Sequence, residues 1–189
     1  IPDRIEAGTY ILAGALCGNR LRIENIIPKH LEALTSKLKD MHVPFEIDTD
    51  YIVVSKQKNY QPTKIKTLIY PGFPTDLQQP FTVLMTQAHG KSTVEETIWE
   101  NRFMHVPYLN KMGSKIKVKD EIATIYGPTP LTGKKVKATD LRAGAAMVLA
   151  GLLAKGTTTI ENVDHILRGY ENIVNKLQNV GANIELKEI

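Results

Sequence analysis

The chain has 189 residues, a formal net charge of +4 at pH 7, a hydrophobic fraction of 42% and one cysteine, Cys17. That length and composition fit one globular domain with a substantial core, and a lone cysteine excludes an intrachain disulfide. There is no signal-peptide pattern, the longest apolar run (Ala143 to Ala154) is too short to span a membrane, and no nucleic-acid-binding motif accompanies the scattered Lys and Arg; the expectation is a cytoplasmic protein, with no membrane or nucleic-acid partner, whose basic balance suits a small anionic ligand.

In chain order, the sequence states one pattern three times. Asp3-Arg4-Ile5 opens an apolar, small-residue run that predicts a helix over 5–16, followed by a strand at Leu21–Asn25. Pro28 then opens an amphipathic helix to Met41, with Leu31, Leu34, Leu38 and Met41 on one face. Strands are predicted at Phe45–Ile47, Tyr51–Val54 and Lys64–Leu68. The second copy has a helix over Thr75–Ala88, with Pro80 tolerable only near its first turn or at a kink. It continues with a strand at Thr93–Thr97, a helix over Phe103–Met112, and strands at Lys115–Val118, Ile122–Tyr126 and Lys134–Ala138. The third has a helix over Thr139–Ala154, a strand at Thr157–Asn162, a helix over Gly169–Val180 and a strand at Asn183–Leu186.

A period of roughly 65 to 75 residues is too long for an ordinary solenoid and points to three copies of one α/β unit about a pseudo-threefold axis. The first helix of each copy is apolar nearly all round, which predicts burial on most sides. The strands alternate, as in Leu21-Arg22-Ile23-Glu24, which predicts sheets with one face in water. The expected fold is therefore an inside-out α/β barrel of three βαβαββ units (about 1–68, 69–138 and 139–189), helices inside and sheets outside. The third unit lacks its last two strands, an arrangement that exposes a sheet edge, so the chain is expected to be part of a longer protein.

Differences between copies mark the candidate chemistry. Tyr70-Pro71-Gly72-Phe73-Pro74 is a stiff loop delivering Thr75-Asp76 to a helix start, where Asp76 is either a plain N-cap or a functional acid. Thr139-Asp140 repeats the pair without the stiff loop and reads more plainly as a cap. Arg102 and Arg168 each lie seven residues after a strand glutamate (Glu95, Glu161), where the first copy has Leu31. Arg142 opens the third apolar helix, where the other copies have Ile5 and Gln78. Guanidinium groups at strand ends and helix starts suit a carboxylate or phosphate, although each alone also fits a surface ion pair. Ile98, at the end of the second central strand, reads as core or as the wall of a pocket. Cys17 reads as a small core residue, Trp99 and Tyr10 as core or rim. His30, His105 and His165 share no offset and complete no metal-ligand spacing, so neither a metal nor another cofactor is expected.

Pro2-Asp3-Arg4-Ile5-Glu6-Ala7-Gly8-Thr9, Pro71-Gly72-Phe73-Pro74-Thr75-Asp76-Leu77-Gln78, Glu100-Asn101-Arg102-Phe103-Met104-His105, Lys137-Ala138-Thr139-Asp140-Leu141-Arg142-Ala143-Gly144 and Arg168-Gly169-Tyr170-Glu171 closely resemble the UDP-N-acetylglucosamine 1-carboxyvinyltransferase family, enolpyruvyl transferases of peptidoglycan synthesis. The similarity covers the whole chain and corresponds to the carboxy-terminal part of such enzymes. The resemblance implies two inside-out α/β domains with the active site in the cleft between them, the first strands of the full chain completing this one. It implies transfer of enolpyruvyl from phosphoenolpyruvate to the 3-hydroxyl of UDP-N-acetylglucosamine by addition and then elimination of phosphate. Asp76 matches the aspartate that contacts the sugar hydroxyl and accepts its proton. Ile98 matches a residue contacting the UDP-sugar. Arg142 and Arg168 match arginines around phosphoenolpyruvate, and Arg102 another arginine of the cleft. The family's proton-donating cysteine and its phosphoenolpyruvate-binding lysine belong to the missing amino-terminal domain, and Cys17 matches neither. Leu167 stands where many relatives carry an acidic residue. The alternatives are a shikimate-pathway enolpyruvyl transferase and a non-catalytic binding module of the same fold.

Overall fold

The computed structural model describes residues 1–187. The first copy forms α1 (Arg4–Cys17), β1 (Leu21–Ile23), a 3-10 turn (Pro28–Leu31), α2 (Glu32–Asp40), β2 (Phe45–Ile47), β3 (Ile52–Val54) and β4 (Lys64–Lys66). The second forms α3 (Thr75–Met85), β5 (Gly90–Glu95), α4 (Val106–Lys111), β6 (Lys115–Lys119), β7 (Ile122–Gly127) and β8 (Lys135–Lys137). The third forms α5 (Leu141–Leu153), β9 (Thr159–Glu161), α6 (Asp164–Leu167) and α7 (Ile173–Asn179).

Three expectations change. The helix expected from Pro28 begins as a 3-10 turn, with Pro28 at its first position and no side-chain cap on Ile27. The helix expected over 169–180 is shorter: α7 begins only at Ile173, because Asn172 takes the left-handed conformation (φ +51°), which a helix interior does not allow, and a separate short helix, α6, forms before Gly169. The strand expected at Asn183–Leu186 does not form. Its counterpart in the second copy, β6, pairs only with β7, and among the described residues no strand takes β7's place beside β9, so this segment has no partner.

The sheets run β1-β3-β2, β4-β5-β7-β6 and β8-β9. β4 is parallel to β5, with Ile65 opposite Val94, and β8 is parallel to β9, with Val136 opposite Ile160. The last strand of the first copy and that of the second thus join the sheet of the following copy, and the sheets are offset by one strand from the sequence repeats. On the same rule, and among the described residues, β1 is open on the side where β5 receives β4, and β9 is open on the side where β5 receives β7.

The helices α1, α3 and α5 pack on one another at the centre. Ile11, Leu12, Phe81, Leu84, Met85 and Met147 are fully buried there. Gly8 lets α1 approach α3 closely, since a Cβ at that position would lie 2.6 Å from Leu77 Cδ1. The strands face outward with alternate residues wet: Lys64 and Lys66 are exposed about buried Ile65, Lys135 and Lys137 about buried Val136. This is the helices-in, sheets-out arrangement expected from the apolar and alternating runs. Pro80 lies in the second turn of α3, where it has no N–H to give the Asp76 carbonyl four residues back.

Candidate functional site

The three copies place an aspartate at the start of their central helices and use it differently. Asp3 caps α1, accepting from Ile5 N at 2.7 Å, and Asp140 caps α5, accepting from Arg142 N at 2.7 Å and Ala143 N at 2.9 Å. In α3 the capping position falls on Pro74, which has no side-chain acceptor, and Asp76 lies inside the first turn. Thr75 Oγ1 donates not to the helix but to Glu96 Oε2 at 2.9 Å. The Asp76 carboxylate is left for other partners.

Those partners are two arginines. Arg102 Nη2 donates to Asp76 Oδ1 at 2.7 Å, and Arg142 Nη2 donates to Asp76 Oδ2 at 3.3 Å. The acid comes from the second copy's helix, Arg102 from the loop after β5, and Arg142 from the first turn of α5. Both guanidinium groups are mostly buried, while the carboxylate side chain keeps 35% of its surface exposed. A carboxylate offers about four lone-pair sites. Two are taken, so an incoming hydroxyl can still be bound while the arginines hold the acid in place.

Each arginine is braced in turn. The Gln78 and Gln79 side-chain amides both donate to the Arg102 carbonyl, at 3.1 and 3.0 Å. Arg142 Nη1 donates to the Tyr170 hydroxyl at 3.2 Å. Beside them His105 is completely buried, and burial holds its imidazole far below the ordinary range, at about 3, with Asp140 opposing and Arg102 adding to the depression. It is a neutral ring at physiological pH.

Glu96 organises the adjoining wall. It is 2% exposed and accepts from Thr67 Oγ1 (2.7 Å), Thr75 Oγ1 (2.9 Å), Ile98 N (2.9 Å) and Trp99 N (3.3 Å). One carboxylate therefore ties the end of β4's segment, the start of α3 and the loop after β5. Ile98 and Trp99 are left on the rim, 39% and 60% exposed. Arg168 stands apart: it is exposed at the end of α6 and makes no ion pair or side-chain hydrogen bond among the described residues. It lies two residues before Tyr170, on a turn where Gly169 packs so closely on Leu141 that a Cβ would sit 2.6 Å from Leu141 Cδ2.

The structure thus brings Asp76, Arg102 and Arg142 into direct contact, sets Ile98 on the neighbouring loop, and leaves Arg168 exposed at the end of α6, outside that contact. Sequence reasoning passed over Glu96, Tyr170, Gln78 and Gln79. Glu96 had a signal, since it falls on the inward parity of an alternating strand, next to Val94 and opposite in sense to Glu95. Gln78 and Gln79 are adjacent polar residues in an otherwise buried apolar helix. Cys17 is half-buried against the core, its thiol pushed up by burial with Lys56 opposing. A separate concavity of about 730 Å³ lies away from Asp76, lined by Ala13, Cys17, Leu21, Gly151, Leu152 and Leu177 beside the open edge of β1.

The sequence model of EPSP synthase (3-phosphoshikimate 1-carboxyvinyltransferase) matches residues 1–177. A UDP-N-acetylglucosamine 1-carboxyvinyltransferase 2 of Bacillus cereus is 53% identical over 97% of this chain and 43% of its own length. A UDP-N-acetylglucosamine 1-carboxyvinyltransferase of Clostridium botulinum is 56% identical over 97% of this chain and 44% of its own. Among solved structures, the enolpyruvyl transferase NikO from Streptomyces tendae superposes with a TM-score of 0.92 at 33% identity, over 98% of this chain and 44% of that one. The chain therefore spans less than half the length of the relatives it matches. With the family pattern running through nearly all of its residues and the fold shared throughout, the chain belongs to the EPSP synthase family of enolpyruvyl transferases.

Proposed function

We propose that this chain is the carboxy-terminal lobe of a cytoplasmic UDP-N-acetylglucosamine 1-carboxyvinyltransferase of peptidoglycan synthesis. It supplies half of an active site, completed by an amino-terminal domain of the same protein across a cleft. The observation that carries this reading is the Asp76 carboxylate held between Arg102 and Arg142 on three different elements. An acid in reach of an alcohol suits general-base work, and fixed cations beside it suit a trianionic co-substrate. In the reaction the sugar 3-hydroxyl adds to C2 of phosphoenolpyruvate while C3 gains a proton. The tetrahedral adduct then loses phosphate and the C3 proton to give the enolpyruvyl ether. Asp76 takes the hydroxyl proton. Arg142, Arg168 and Arg102 balance the carboxylate and phosphate charge, and Ile98 packs against the UDP-sugar. The acidic partner that Leu167 replaces is not needed for this reading, since Arg168 is exposed and makes no ion pair among the described residues. The concavity beside β1 lies where further strands of the same protein would dock, and the open edges of β1 and β9 call for them.

In the full-length protein, phosphate release from phosphoenolpyruvate is expected to require UDP-N-acetylglucosamine, and Asp76→Ala is expected to abolish most of it. Near-normal turnover by that variant rejects Asp76 as the base. Turnover with shikimate 3-phosphate in place of the UDP-sugar selects the shikimate-pathway reading, and substrate binding without turnover selects a binding module. The relatives' names and identities favour the UDP-sugar.

A further inference from the structure

Arg142 is oriented from behind by a buried chain of hydroxyls. Thr9 Oγ1 lies 2.9 Å from the Ile5 carbonyl and 2.9 Å from the Tyr170 hydroxyl, which lies 3.2 Å from Arg142 Nη1. Thr9 is 3% exposed and Tyr170 is fully buried, so bulk water does not compete for these groups. The proton directions follow from valence. A carbonyl only accepts, so Thr9 gives it its one proton. Tyr170 must then be the donor to Thr9, and its oxygen keeps only lone pairs, which is what a guanidinium N–H requires. The chain has one sense from end to end: Arg142 donates to Tyr170, Tyr170 to Thr9, and Thr9 to the first turn of α1. From its other terminal nitrogen Arg142 donates to Asp76, which also holds Arg102.

This path joins all three copies, through α1, α3 and α5. Two of the five guanidinium N–H bonds of Arg142 are committed to Tyr170 and Asp76, which leaves three for an anion. We infer that Tyr170, itself held by Thr9, is a positioning residue that fixes the plane of Arg142 for its anionic substrate. This rests on the function proposed above. Fully buried, Tyr170 reaches the site only by way of Arg142. Its phenol carries geometric information from the start of α1 to the arginine, and a phenylalanine of the same shape deletes that information while keeping the packing.

The test is Tyr170→Phe in the full-length protein, with Thr9→Val and Arg142→Lys alongside. Hydrogen bonds to charged groups are worth enough for Tyr170→Phe to lower kcat/KM for phosphoenolpyruvate by about ten- to a hundred-fold, with KM for the UDP-sugar unchanged. Thr9→Val lowers it less, because the phenol keeps Arg142. In the Arg142→Lys background the further loss from Tyr170→Phe shrinks to about two-fold or less, since the two residues act as a unit. Wild-type kcat/KM in folded Tyr170→Phe overturns the inference, as does a loss that simply multiplies with that of Arg142→Lys; a fall in Tm without either change assigns Tyr170 to packing alone. If the unmodified full-length protein transfers no enolpyruvyl group, the proposed function fails by itself. Affinity for inorganic phosphate by calorimetry then decides the positioning role: weaker binding in Tyr170→Phe sustains it, and equal binding overturns it.

Discussion

Asp76 and Asp140 occupy matching places in two copies of one pattern, each preceded by threonine and followed by leucine. Asp140 sits at the N-cap of α5 and satisfies two backbone N–H groups; Asp76 sits inside α3 and satisfies two guanidinium groups. The difference originates beside the acid. Thr75 is drawn to Glu96, and Pro74, which has no side-chain acceptor, takes the capping place. A shift of the helix start by two residues turns a structural aspartate into a candidate catalytic one. In this threefold scaffold the candidate site arises where the local pattern breaks at one copy.

The largest effect expected from this contrast is on turnover. Asp76→Asn keeps the volume and loses the base, and is expected to lower kcat of the full-length protein by about a hundred- to ten-thousand-fold, the range typical of general-base catalysis. Phosphate release measures it, and a loss under ten-fold breaks the comparison. Next comes Glu96→Ala, which removes the acceptor shared by Thr67, Thr75, Ile98 and Trp99. Leaving several buried donors unsatisfied costs about 3 kcal/mol or more, seen as a Tm lower by roughly 10 °C. Hydrogen exchange at Ile98 and Trp99 should accelerate with it; unchanged exchange there means Glu96 does not set that loop.

The pH dependence of stability comes third. His105 titrates at about 3 in the folded protein and near 6.5 when unfolded, so unfolding takes up a proton between those values. Its contribution is full above about pH 6.5 and is lost as pH falls toward 3. Between pH 5 and 6.5, where carboxylates are largely ionised, wild type should lose stability with a slope approaching one proton, and His105→Phe should be flatter; equal slopes place the ring elsewhere. The smallest effect is Asp140→Ala, which removes an N-cap and should cost about 1 kcal/mol, a Tm lower by roughly 2–4 °C. Asp140→Asn, which can still cap, should recover most of that loss, and failure to recover it assigns Asp140 more than a capping role.

The parts of the fold that could be read from sequence are those set by neighbours along the chain. α1 and α5 follow runs of apolar and small residues opened by capping aspartates, and their ends lie close to where those runs begin and stop. β2 falls where the pattern places it. What could not be read depends on residues far apart. Thr75 and Thr139 look alike until Glu96, 21 residues beyond Thr75, claims one of them. The late start of α7, after Asn172, depends on a backbone conformation that a polar residue permits but does not announce. Strand order was illegible because the repeats count strands within a copy, while β4 and β8 pair outside theirs. Of the candidate residues, Asp76 and Arg142 stood out by their place at helix starts and Arg102 by its offset from Glu95. The braces behind them, Tyr170 and the two glutamines, are joined only by folding.

The offset of β4 and β8 has a bearing on how such a molecule can be divided. Because the first and second repeats each lend their final ribbon to the following one, scissors applied at the repeat boundaries sever a parallel seam instead of releasing a module. A single repeat expressed by itself would carry one orphan ribbon and one bare rim, both invitations to self-association. Viable dissection has to follow the seams, for instance cutting ahead of Lys64 so that it travels with the four-ribbon sheet it completes. The three copies are legible as a tandem array on paper, yet mechanically they are an interlaced garland.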